Sequence, residues 1–204
     1  MAMTRQKVTL LAIFMLFFTP LFLVILMQSP FWKYKPAMLE IQGLMILPVV
    51  QLKLNDPIQN SNSTSPRDLQ GKWLLLYVIG DDCNAECSRD ITALRQIHKA
   101  AGKNREHLEI AILSKAGPDP GLRSRLEAIY PQLNFIDDPA STALSKLAQI
   151  NIKIAAENAD KETIYTYILD PLHNVILAYH AGTNPSEINK DLKRLLKWSR
   201  LEQK

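Results

Sequence analysis

Cys83 and Cys87 are the only two cysteines in the chain, four residues apart in Asp81-Asp82-Cys83-Asn84-Ala85-Glu86-Cys87. Two thiols at this spacing can close a structural disulfide, cycle between dithiol and disulfide, or offer two sulfur ligands to a soft metal ion. Stapling is a weak reason to keep them, because so short a loop removes little chain entropy from the unfolded state. Two thiolates suit Cu(I) but are too few for a closed zinc site.

A metal would need a further ligand, and the chain has four histidines. His98 lies roughly 16 Å beyond Cys87 along the same helix, which removes it. His107 precedes the second core strand and belongs to the far end of the sheet. His173 falls in a turn and His180 ends the last strand. Both read as ordinary surface or strand-end histidines.

The reactivity of the pair depends on its electrostatic setting. A helix N-terminus favours a thiolate. Asp81, Asp82 and Glu86 oppose it, since nearby carboxylates disfavour another negative charge. Asp82 is the expected N-cap of the helix that carries the cysteines.

The elements that must position the pair follow from periodicity. Residues 72–79 form a continuous apolar run of strand length, as in a buried central strand. Cys87, Ile91, Leu94, Ile97 and Ala101 then recur at helical spacing, and Gly102 closes the helix. Residues 108–113 are a second buried strand. Residues 118–121 read as a turn, and Leu122, Leu126 and Ile129 mark a short helix. Residues 133–136 are a short strand, and 140–150 an alanine-rich helix. Residues 163–169 and 175–180 are strands joined by a hairpin turn at 170–174. Asn184, Pro185 and Glu187 give a strong start to a last helix. The order is that of an α/β thioredoxin-like fold, βαβ followed by ββα, with an inserted strand and helix between the halves. The cysteines fall at the start of the helix after the first core strand, where that fold carries its reactive pair.

Outside this domain the chain divides simply. Residues 8–27 hold no charged side chain and as a helix would span about 30 Å, one bilayer core. Phe31-Trp32-Lys33-Tyr34-Lys35 follows as an interfacial aromatic belt. The expected layout is a cytoplasmic tail (1–7), a single transmembrane helix (8–28), a juxtamembrane connector (29–70) and the thioredoxin-like domain (71–204). Within the connector, 44–56 has the pattern of one or two short strands, and Asn62-Ser63-Thr64 reads as loop composition. A short basic tail before the span places the C-terminal domain outside the cytoplasm, where a dithiol can be oxidised. The net charge of +4 comes with no basic run interleaved with aromatics, so nucleic acid is not an expected partner. Lys190, Lys193, Arg194, Lys197 and Arg200 read as the solvated face of the last helix.

The chain resembles the Sco/SenC family, membrane-anchored thioredoxin-like proteins of cytochrome c oxidase biogenesis. The resemblance lies in "GKWLLLYVIGDDCNAEC", in "FIDDP" at 135–139, and in "TIYTYILDPLHNVILAY" at 163–179. A shared absence adds to it: no proline lies between 151 and 169. There are departures. Asn84 and Ser88 stand where the family has prolines, and Glu162 stands where it has its third copper ligand, a histidine. The resemblance implies a divergent, inner-membrane, single-pass protein with its domain in the periplasm. Its expected role is that of a thiol–disulfide reductant in cytochrome c oxidase copper-site assembly, with the thiol partner an oxidase subunit or other copper-site protein. Cys83 would attack and Cys87 resolve, with no cofactor required. Two alternatives stay open: a Cu(I) chaperone that uses Cys83 and Cys87 with a substitute ligand such as Glu162 or His180, and a non-catalytic assembly scaffold.

Overall fold

The computed structural model describes residues 5–28, 41–54, 69–80, 83–157 and 163–202. Asp81, Asp82, Glu162, the sequon at 62–64 and the aromatic belt at 31–35 lie outside the described residues.

Two compact units are present, Met1–Glu40 and Ile41–Lys204. In the first, α1 runs Arg5–Gln28 with Pro20 inside it. Its side chains are described continuously only from residue 13 to residue 26, and large apolar ones among them are exposed, Leu16 and Phe17 by about three quarters. Among the described residues no helix is long and apolar enough to cross a membrane. The span expected at 8–28 therefore rests on the sequence.

The second unit is built on a six-stranded sheet of order β1-β6-β5-β2-β3-β4. The strands are β1 (Leu44–Gln51), β2 (Trp73–Val78), β3 (Leu108–Ser114), β4 (Asn134–Asp137), β5 (Ile164–Leu169) and β6 (Asn174–His180). β2, β3 and β4 are parallel, while β5 is antiparallel to β2 and β6 to β5. β2 is central because every residue from Leu74 to Leu76 is fully buried. Trp73, Leu75 and Tyr77 face one core and Leu74 and Leu76 the other, as strand alternation requires. Each such leucine contributes about 2 kcal/mol on removal from water.

Helices α2 (Ala85–Ala100), α3 (Pro120–Ile129) and α5 (Pro185–Glu202) fill the first core, and α4 (Thr142–Glu157) the second. α2 buries Cys87, Ile91, Leu94 and Ile97, the expected stripe. Pro120 and Gly121, read as turn residues, open α3 instead. Asp119 caps them by accepting from the Gly121 and Leu122 N–H groups, and Pro needs no donor at a helix start. The strand pattern at 44–51, inside the segment read as connector, is realised as the edge strand β1. It pairs antiparallel with β6, and the compact unit begins at Ile41.

"FIDDP" owes its second aspartate to α4. Asp138 accepts from the Thr142, Ala143 and Leu144 N–H groups and from the Thr142 hydroxyl, at 2.8–3.1 Å. Burial pushes its carboxyl up, but these four donors win and hold it below the ordinary aspartate value. A lowered folded pKa gives stability that is present above the unfolded value, about 3.9, and is lost as pH falls through the folded one. Asp138→Ala should cost about 1–2 kcal/mol at pH 7 and leave a shallower loss of stability below about pH 4. Urea melts of both proteins at pH 7 and pH 3 check this.

Candidate functional site

β2 delivers the chain to the site end of the sheet, and α2 leaves from there. The N-cap is Asn84, not Asp82. Its side-chain oxygen accepts from the Glu86 and Cys87 N–H groups at 3.0 Å each. The helix thus begins at Ala85, and Cys83 lies before it rather than in its first turn. That position lets the sulfurs meet. Cys83 and Cys87 form a disulfide with Cα atoms 5.3 Å apart, inside the usual range. Cys87 is buried at 8% exposure and packs with Ile91 in the first core, while Cys83 is half-buried at its margin.

Asn84 has an electrostatic consequence. The two first-turn amides nearest Cys87 are already spent on the Asn84 side chain, so they are not free to stabilise a thiolate. Glu86 is exposed and sits 3.6 Å from Arg89, a pair that does little at the surface.

Cys87 lines a cleft of about 520 Å³ whose walls include Tyr77, Asp90, Tyr165, Arg89 and Thr183. Tyr77 donates to Asp90 at 3.0 Å, and its ring lies 6.0 Å from that of Tyr165. Burial first, and then the Asp90 carboxylate, push the Tyr77 hydroxyl far up, so it stays a donor. Burial also raises the Asp90 carboxyl, and the Tyr77 hydrogen bond only partly offsets this. Sequence reasoning missed Tyr77, Asp90 and Tyr165. The signal was present: Asp90 is one helical turn past Cys87, and Tyr77 alternates with Leu75 toward α2.

The histidines separate by the ends of the sheet. His98 is buried, with Nε2 2.8 Å from the Leu108 carbonyl and Nδ1 2.8 Å from the Tyr130 hydroxyl. His107 closes the 3₁₀ segment before β3, at the opposite end from the cysteines. His173 is held in the β5–β6 turn, its Nε2 3.2 Å from the Leu69 carbonyl, also at that far end. His180 pairs with Ile164 at the site end, one strand beyond β5. Among the described residues no group of three His, Cys, Asp or Glu side chains is placed to hold a metal ion.

The family described as "Transmembrane-like, thioredoxin-like, C-terminal domain" matches residues 73–199. The chain belongs to this family. The match runs from the first residue of β2 to near the end of α5, so it contains the cysteine pair and the cleft. Similar solved structures include Sco proteins, the family the residues resemble. Copper-bound Sco1 of yeast is 14% identical, with 63% of this chain and 80% of that one covered and a TM-score of 0.48. Apo Sco1 of Thermus thermophilus is 16% identical, with 79% and 98% covered and a TM-score of 0.49. Copper-bound ScoI of Bradyrhizobium japonicum is 19% identical, with 62% and 86% covered and a TM-score of 0.41. No curated protein matches the chain.

Proposed function

We propose that this protein is a membrane-anchored, Sco-like thiol–disulfide exchange protein that acts as a reductant outside the cytoplasm. Its partner class is a protein with a cysteine copper site, as in cytochrome c oxidase assembly, the role its Sco-like sequence segments suggest. The observation that carries the reading is the reactive pair itself: a disulfide at the tip of α2, with one sulfur at the margin and one in the core, beside an open cleft. Reduced Cys83 attacks a partner disulfide and one partner sulfur leaves as thiolate. Cys87 then attacks Cys83, forms the intramolecular disulfide and releases the partner dithiol. Two electrons and two protons pass to the partner. An external reductant of dithiol class resets the pair.

The reducing direction follows from the surroundings of the sulfurs. A strongly oxidising pair needs an unusually stable thiolate. Here the capping amides donate to Asn84, and Glu86 and Asp90 stand on the cleft. Copper as cargo has less support. The described residues supply two sulfurs, and the sequence puts a carboxylate, a poor partner for Cu(I), where the family has its histidine.

Topology and partner class are tested together. A reporter active only outside the cytoplasm, fused after Lys204, should be active. The reduced chain should in turn reduce a disulfide-closed peptide bearing a copper-site cysteine pair. A stably expressed but inactive fusion, or an unreduced peptide, would overturn the corresponding half of the proposal.

A further inference from the structure

The edge strand β1 exposes Met45 (53%), Leu47 (72%) and Val49 (51%). An apolar open edge normally invites another strand. This one is closed to strand addition in three ways. Pro48, in mid-strand, has no N–H to offer. The register with β6 breaks between Met45 and Val50. Lys146 of α4 donates to the Gln51 carbonyl at 2.8 Å. The apolar side chains thus stay uncovered while backbone pairing is blocked.

Cations flank the patch. Lys146 and Lys153 line the groove between β1 and α4 with Met45, Leu47 and Pro48, and Lys53 is exposed just past the strand. β1 starts at Leu44, and the apolar helix α1 ends at Gln28. An extended chain of that length reaches at most about 55 Å. We propose that this edge docks on the anionic surface of the membrane that holds α1, with Met45, Leu47 and Val49 at the headgroup–acyl boundary and the lysines on lipid phosphates. Apolar side chains ringed by snorkelling lysines are what such a boundary takes up. The proposal rests on the anchored reading of α1.

The test uses the full chain in lipid nanodiscs, with Leu47 replaced by photoreactive benzoylphenylalanine. Its exposure makes this replacement tolerable. The same label at Arg125, on α3 beside the opposite edge strand, is the control. Adducts are identified by mass. Lipid adducts should form at 47 and not at 125, several-fold more in discs with phosphatidylglycerol than in phosphatidylcholine alone. Lys146→Glu with Lys153→Glu should lower them by roughly thirtyfold or more, since two cations near an anionic surface are lost and two repelling charges are gained. Resistance of the unlabelled chain to alkaline extraction tests the anchor separately. Extraction would sink the anchor and the docking with it. A retained chain with adducts only to protein, or with lipid adducts indifferent to composition and to the lysine reversals, would overturn the docking alone.

Discussion

Cys83→Ser should abolish thiol–disulfide exchange, and Cys87→Ser should instead trap the partner. The two sulfurs differ in place: Cys83 precedes the helix and is half-buried, while Cys87 is buried against Ile91. The attacking species is a thiolate, and a serine hydroxyl does not ionise near neutral pH. Loss of the attacking sulfur should therefore cost at least about 10³-fold in the rate of substrate reduction. Loss of Cys87 leaves attack intact but removes the resolving step, so a mixed disulfide through Cys83 accumulates. Non-reducing gels and intact mass against a disulfide-closed peptide read both results. Accumulation of the mixed disulfide in Cys83→Ser and not in Cys87→Ser would reverse the roles.

The largest expected loss of stability lies away from the cysteines. Asp191 of α5 is buried at 1% exposure. Its Oδ2 accepts from the Gln42 and Gly43 N–H groups at 2.9 Å and from the Tyr179 hydroxyl at 3.2 Å. This carboxylate ties the start of the folded unit to its last helix. Gly43 is required there, since a Cβ would meet the Tyr179 ring at 2.7 Å. Asp191→Ala leaves three donors without their charged acceptor, the Tyr179 hydroxyl buried and the two N–H groups part-buried, at about 1 kcal/mol each. The expected sum is about 3 kcal/mol, a fall in Tm of roughly 6–12 °C for a unit of this size. Asp191→Asn keeps one acceptor oxygen and should lose about half as much. Calorimetry of both variants checks the order. An unchanged Tm in Asp191→Ala would mean that the connector is held by other contacts.

Much of the fold was legible because local pattern and tertiary demand agree. The apolar run of β2 reads as a central strand, and it is one. The stripe from Cys87 to Ile97 reads as the buried face of α2, and it is. Asn184 with Pro185 marks the start of α5, and Asn184 accepts from the Ser186 N–H there at 2.9 Å. Other features were not legible for physical reasons. Asp82 and Asn84 are both good caps, and the choice depends on how the chain enters the helix. β1 shows a strand pattern, but its partner β6 lies more than a hundred residues away, so no local signal pairs them. Asp191 sits among lysines and arginines on an amphipathic helix and reads as surface. Only the arrival of Gln42 and Gly43 beside it makes it a core residue. Asp90 and Tyr77 were readable by spacing, but a polar residue in an apolar run signals little until its partner is known.

The most direct test of the central claim is the midpoint potential of the Cys83–Cys87 couple. The protein is equilibrated in dithiothreitol or glutathione buffers, and free thiols are counted by mass. The capped amides and the Glu86 and Asp90 carboxylates predict a reversible two-electron couple in the reducing range, near the thioredoxin value of about −270 mV. A midpoint as oxidising as about −120 mV, the value of a strong oxidant, or a pair that forms no reversible disulfide, would contradict the account.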